Sequence, residues 1–215
     1  MKILYHHRTM ADGAEGIHIA EIVKALRALG HQVQVVALAG DPTRPAPARA
    51  AGVGGLRKLI PASAYELAEL GYNVVGYGRM LAAIRTFKPD VIYDRYNSYS
   101  TAALHAARRA RLPLLLEVNA PVAYERNVYE HLQLRFPRLA RRYESRILGG
   151  ADCIFVVSTP LRCHLVDKIG VDASKIVVLP NGVDPDVFAP ASGDAGRDRP
   201  SARRGRNHSR AERGQ

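Results

Sequence analysis

KILYHHRTMADGAEGIHIAEIVKALRALGHQVQVVAL, residues 2–38, decides the fold. Lys2–His6 is a short apolar run that reads as a strand. Arg8 to Gly16 is a loop carrying Gly13 and Gly16. Ile17–Leu29 reads as a helix, because Ile19, Val23 and Leu26 fall on one buried stripe. Gly30 follows where a left-handed helix cap favours a residue without a Cβ. His31–Leu38 returns as a second strand. Parallel neighbours need such a crossover, so the opening commits the chain to a parallel sheet covered by helices. It also suggests a ligand site. The glycines let backbone approach a ligand, and a helix N-terminus favours phosphate. Gly13-Ala-Glu-Gly16 is neither G-x-G-x-x-G nor a P-loop, so a turn that binds nothing is the equal alternative.

The rest of the chain repeats the alternation. Ala39–Gly55 reads as a long surface loop. Pro61–Phe87 is a helical region that Gly71, Gly76 and Gly78 are expected to break into two helices. Asp90–Asp94 is strand three and Ser98–Arg109 a helix with small residues facing the sheet. Pro113–Val118 is strand four, apolar enough for burial on both faces. Asn119–Asn127 reads as a polar loop and Val128–Leu148 as a long helix interrupted at Pro137. Cys153–Val157 is strand five. Ser158-Thr-Pro160 starts a helix ending near Gly170, and Lys175–Leu179 is strand six. The expected fold is one Rossmann-like α/β domain over residues 1–190. Its sheet is doubly wound and mostly parallel, with six or seven strands and helices on both faces. Ligands of such sheets lie beyond the strands' carboxyl ends, where strand order reverses. Arg8, Arg95, Asn119, Ser158 and Asn181 are therefore expected along one edge.

Composition narrows the class. No apolar run approaches the ~20 residues of a membrane span. Two cysteines, Cys153 and Cys163, and no signal-like opening imply reduced thiols and a cytoplasmic location, at most peripheral at the inner face of a membrane. Net charge is +11, of which +4 falls in residues 191–215 and +7 in the body. A basic body steers anions such as nucleotides, or meets an anionic membrane surface. No zinc spacing, helix-turn-helix or aromatic-rich sheet motif points to nucleic acid. Residues 191–215 hold no Val, Ile, Leu, Met, Phe, Tyr or Cys and read as a disordered Arg/Gly/Ser-rich tail.

Four passages carry a resemblance, over roughly residues 1–190: Gly16-Ile-His-Ile-Ala-Glu-Ile22 with Ala28-Leu-Gly-His-Gln-Val33; Asp90-Val-Ile-Tyr-Asp-Arg-Tyr96; Leu116-Glu-Val-Asn-Ala-Pro121 with Glu125-Arg126; and Ala151–Ser158 running through Lys175–Asp184 to Phe188-Ala-Pro190. In that order and spacing the chain resembles the N-terminal half of a family 4-type glycosyltransferase of the two-lobed GT-B fold. The resemblance implies transfer of a sugar from a nucleotide-sugar donor with retained configuration, no metal and no cofactor. The N-terminal lobe would hold a glycan, lipid-linked or small-molecule acceptor. The C-terminal lobe would supply the nucleotide pocket, the diphosphate-binding cations and a glutamate pair. No such lobe follows Pro190, so the chain reads as truncated and near-inactive alone. The alternative is a non-catalytic module that binds an acceptor or docks a separate donor-domain chain. A dinucleotide binder fits less well, since strand two ends in Leu38-Ala39 without the acidic residue that role needs.

The catalytic candidates are Glu117 and Asn119, at the end of strand four; many family members carry a histidine in the loop after that strand, where this chain has Glu117-Val-Asn119. Both suit sugar hydroxyls, although Glu117 equally suits pairing with a basic neighbour. The substrate-binding candidates are Gly13 and Gly16 toward a diphosphate, with Arg95, Glu125, Arg126, Ser158 and Asn181. For Arg95 the alternative is a salt bridge to Asp94 or Glu125. For Glu125-Arg126 it is holding the loop, for Ser158 a helix cap, and for Asn181-Gly182 a hinge turn. His6 and His7 follow strand one with no second cluster to make a metal site. Asp184-Pro-Asp186 matches D-x-D in form, but it lies in a stiff passage after the last strand and is not taken as a metal ligand.

Overall fold

The structure is a computed structural model, and it describes residues 1–9, 14–37, 62–128 and 134–182. Gly13, the 39–55 segment, Asp184-Pro-Asp186 and the 191–215 tail lie outside the described residues. The chain divides into a unit spanning Met1–Pro180 and a second one, Asn181–Gln215.

The described residues of the first unit form β1 (Lys2–His7), α1 (Ala14–Ala28), β2 (Gln32–Ala37), α2 (Ala62–Phe87), β3 (Val91–Arg95), α3 (Ala102–Ala110), β4 (Leu114–Val118), α4 (Val122–Val128), α5 (Pro137–Gly150), β5 (Cys153–Val156), α6 (Thr159–His164) and β6 (Ile176–Val178). A π-helical turn, Leu165–Ile169, prolongs α6 to Gly170. The strands form one sheet in the order β2-β1-β3-β4-β5-β6, every pair parallel. The chain steps outward from β1 to β2, then restarts on the other side of β1 with β3. That reversal opens a crevice at the carboxyl ends of β1 and β3.

Alternation along the strands sorts side chains to two faces. Leu4, Ile92, Leu114, Leu116, Ile154 and Val156 share the larger core with α2, α3, α5 and α6. Ile3, Tyr5, Val91 and Tyr93 share the smaller core with Ile19 and Val23 of α1. The helix α1 is closed as its sequence requires. His31 N–H donates to Leu26 O at 3.1 Å and Gly30 N–H to Arg27 O at 3.0 Å. Gly30 has φ +84°, so this is a Schellman cap.

Three expectations are corrected. The helix α2 is unbroken over 26 residues. A Cβ at Gly76 would stand 3.0 Å from Ala102 Cβ, so this glycine is where α2 and α3 approach closely, and their packing outweighs its weak helix propensity. Gly71 and Gly78 meet nothing within 4 Å. Replacing either by Ala is expected to stabilise the fold by about 0.5–1 kcal/mol in urea denaturation, while Gly76→Ala gives no gain. Next, the loop expected over 119–127 contains α4. Finally, the helix expected from Val128 with an interruption at Pro137 instead has Pro137 in the first turn of α5, where a missing N–H costs nothing.

The sheet's outer strands are β2 and β6, and β2 is guarded. Gln32 N–H turns inward to Met1 O at 2.9 Å, so the backbone groups of Val33, Val35 and Ala37 point outward. Arg27 of α1 donates to Val33 O at 3.2 Å, and Arg79 of α2 to Ala37 O at 3.3 Å.

Candidate functional site

Glu117 is the centre of the carboxyl edge on the α1 face. The β4 pleat sends Leu114, Leu116 and Val118 to the larger core and Leu115 and Glu117 to the opposite side. Glu117 is 4 % exposed. Its Oε2 accepts from Tyr5 Oη at 3.1 Å. Its Oε1 accepts from Arg95 Nη1 at 2.5 Å, from Asn119 Nδ2, and from His18 Nε2 at 3.1 Å. Four elements, or residues just beyond them, thus converge on one carboxylate. Arg95 and Glu117 are register partners across β3 and β4, which explains their contact. Below lies an aromatic row: Tyr5 and Tyr93 stack at 5.1 Å, Tyr93 and Phe155 at 6.0 Å.

Burial alone would raise the Glu117 pKa. Hydrogen bonds from His18 and Asn119 and the Arg95 charge reverse that and hold it below the usual carboxylate value. The ionised group only accepts, and this fixes its neighbours. His18 must carry its proton on Nε2. Asn119 must turn Nδ2 toward Glu117. Its Oδ1 is then buried with no partner among the described residues. The Tyr5 hydroxyl, buried beside this charge, has its pKa pushed far up, by burial first and then by Glu117.

A second cluster lies at the same edge on the α2 face. Arg8 Nη2 meets Glu69 Oε1 at 2.6 Å and Asn97 Oδ1 at 2.9 Å. Arg126 Nη1 meets Glu69 Oε2 at 2.8 Å. One carboxylate therefore serves two guanidiniums, both nearly buried. Burial lowers the Arg8 pKa, with Glu69 opposing. Deeper on this face, His6 Nδ1 and Asp94 Oδ1 are 2.6 Å apart, and both residues are buried. Burial raises the Asp94 pKa, while His6 and Arg8 oppose the rise.

The loop after β3 joins the two clusters. Tyr96 N–H donates to Glu117 O at 2.8 Å, and Asn97 accepts from Arg8. Tyr99 is held at φ +61°, with its hydroxyl on Glu66 Oε2 at 2.6 Å. Asn73 of α2 secures the turn by donating to Tyr99 O and accepting from Thr101 N–H, both at 2.7 Å. A strained residue held by that many bonds marks a loop whose shape is imposed.

Among the sequence candidates, Glu117, Asn119 and Arg95 stand together. Arg95 pairs with Glu117, not with Asp94 or Glu125. Arg126 is turned to α2, and Glu125 is exposed. Ser158 Oγ accepts from Leu161 N–H at 3.3 Å and caps α6. Gly16 is not in a loop: α1 begins at Ala14, and Gly16 is buried in its first turn. Asn181 is exposed and belongs to the second unit. His6 and His7 both lie within β1, not after it. Sequence reading missed Tyr5, His18 and Glu69. For His18 a signal existed: it sits beside Ile19 at the rim of the apolar stripe, at the end of α1 nearest the strand ends. Among the described residues no group of three His, Cys, Asp or Glu could hold a metal ion, and no helix is long and apolar enough to cross a membrane.

The sequence pattern of Glycosyltransferase Family 4 matches residues 15–187. A D-inositol 3-phosphate glycosyltransferase of Pseudarthrobacter chlorophenolicus is 27% identical over 190 residues, which is 83% of this chain and 44% of that protein. Among solved structures, a glycosyltransferase from Rickettsia africae superposes with a TM-score of 0.57 at 17% identity, covering 90% of this chain and 46% of the other. An Anabaena protein in complex with UDP and glucose superposes with a TM-score of 0.51 at 15% identity, covering 87% and 46%. At those identities the structural likeness speaks for the fold. The chain spans about half the length of each of these relatives. With the family pattern matched over most of its length, the chain belongs to glycosyltransferase family 4.

Proposed function

We propose that this domain is the acceptor-binding half of a retaining glycosyltransferase that uses a nucleotide-sugar donor. The observation that supports it best is Asn119. The Glu117 carboxylate holds the amide so that its Oδ1, buried and without a partner among the described residues, stands at the carboxyl edge. Such an acceptor suits a hydroxyl of a sugar or cyclitol and repels a carboxylate. In this reading Glu117 is fully engaged by its own neighbours and acts as a positioning residue. Asn119 touches the substrate, and Arg95 places positive charge beside it. The donor side supplies the electrostatic stabilisation of the leaving diphosphate. By itself the 215-residue chain is then nearly inactive.

The curated relative is named for an inositol phosphate and the Anabaena structure holds UDP and glucose. The test therefore titrates the isotope-labelled chain with D-inositol 3-phosphate, glucose, other sugar phosphates and UDP-glucose, following amide shifts. Binding that shifts Asn119 and Arg95, and weakens about tenfold in Asn119→Ala, is expected for the loss of one hydrogen bond to substrate. Acceptor binding that is unchanged in Asn119→Ala, or sugar transfer by the purified chain at rates usual for enzymes, overturns the reading.

A further inference from the structure

Among the described residues, the excess positive charge of the helices is one-sided. The helix α1, which covers one face of the sheet, carries Glu15, Glu21, Lys24 and Arg27 and sums to zero. On the other face α2, with Glu66, Glu69, Arg79 and Arg85, also sums to zero, while α3 and α5 do not. α3 carries Arg108 and Arg109 and no acid. α5 carries Arg138, Arg141, Arg142 and Arg146, and its one acid, Glu144, is buried with Oε1 on Tyr96 Oη at 2.8 Å.

All six of these arginines are exposed. At 100° per residue the four on α5 fall, with exposed Ser145 and Gly149, on one outward arc. Ala140, Glu144, Ile147 and Leu148 fill the inward side. The last residue of α5 meets α3: a Cβ at Gly150 would stand 2.6 Å from Leu104 Cδ1 and 2.9 Å from Arg108 Nη2. His105 of α3 feels this shared field, since its pKa is lowered by burial and then by Arg146 and Arg108.

Local helix chemistry does not account for the pattern. Arg108 and Arg109, near the end of α3, suit its dipole. Arg138 stands in the first turn of α5, where a cation is unfavourable. Arg138 with Arg141 and Arg142, and Arg142 with Arg146, repel each other at three- and four-residue spacing. None of the four forms an ion pair with a described residue. An anionic partner that lies flat along both helices would relieve all of these at once.

We propose that the outer surface of α3 and α5 docks on an anionic phospholipid bilayer. The patch follows the outward arc of α5 and continues to Arg108 of α3, where Gly150 meets that helix. The outward arc of α5 offers no aromatic ring for stacking with single-stranded nucleic acid. Long arginine stems can lie along the helix surface while their heads reach the phosphates. This inference rests on the charge pattern alone and stands or falls apart from the transferase reading.

The test is co-sedimentation of the full chain with phosphatidylcholine vesicles, with and without one third phosphatidylglycerol. Binding to the anionic vesicles only, weakening as salt rises, is expected. Replacing the four α5 arginines by Gln is expected to reduce that binding by at least about tenfold. The control Lys24→Gln, Arg27→Gln on the opposite face leaves it within about twofold, while the arginines beyond residue 190 stay in both variants. The chain has no Trp, so Ser145→Trp is a clean reporter, and its emission should shift to the blue on anionic vesicles. Equal loss in both variants, no loss in the α5 variant, or an unshifted Trp overturns the proposal. So does an oligonucleotide that binds through the α5 arginines when anionic vesicles do not.

Discussion

Glu117→Gln is expected to lower the unfolding free energy in urea by about 3 kcal/mol near neutral pH, the size typical of removing one partner from a buried ion pair. The variant keeps the shape of the side chain but removes the charge that Arg95 and His18 face. The Arg95 side chain is only 11% exposed, so water cannot replace the carboxylate. The sign of the pH dependence follows from the depressed Glu117 pKa. Its stabilisation is complete above the unfolded value of about 4.3 and is lost as pH falls through the lower folded value. The gap between wild type and variant should therefore be widest near neutrality and close in strong acid. A gap that stays constant down to about pH 2 would show that ionisation of Glu117 is not what holds the edge together.

Glu69→Gln should cost at least as much, about 3–5 kcal/mol, because one substitution removes the carboxylate that two nearly buried guanidiniums share. Arg8 and Arg126 would be left with side chains 6% and 8% exposed. Two further measurements separate charge from packing. Sulfate should raise the melting temperature of the variant more than that of wild type, by bridging the guanidiniums. The double variant Glu69→Gln, Arg126→Gln should recover part of the loss, a coupling visible only in a double-mutant cycle. If sulfate raises both melting temperatures equally and the second substitution adds to the damage, the two arginines are held by packing.

What the sequence made legible was local. The six strands, the α1 stripe, the Gly30 cap and the Ser158 cap each follow from residues within about two helical turns of one another. What it hid was long-range. Tyr5 and His18 reach Glu117 across 112 and 99 residues, and no local pattern announces either contact. The three glycines of α2 argued for a break by helix propensity, each costing about 1 kcal/mol. Packing at Gly76 overrides that, and it depends on Ala102, a residue not yet placed when the helix is read. Gly16 misled in the same way. It was read as part of a loop approaching phosphate, but α1 simply starts two residues earlier. Candidate residues whose partners are strand neighbours, such as Arg95 and Glu117, could be foreseen to share an edge. Whether they bonded each other or a substrate could not.

The guanidiniums on Val33 O and Ala37 O carry one more consequence. A bare outer strand is a template on which another chain can add, and such growth ends in fibrils. An incoming strand here would first have to displace Arg27 and Arg79 and bury their charge. The β2 margin of the sheet thus carries its own stopper, which keeps copies of this domain from fusing along that edge even at high concentration.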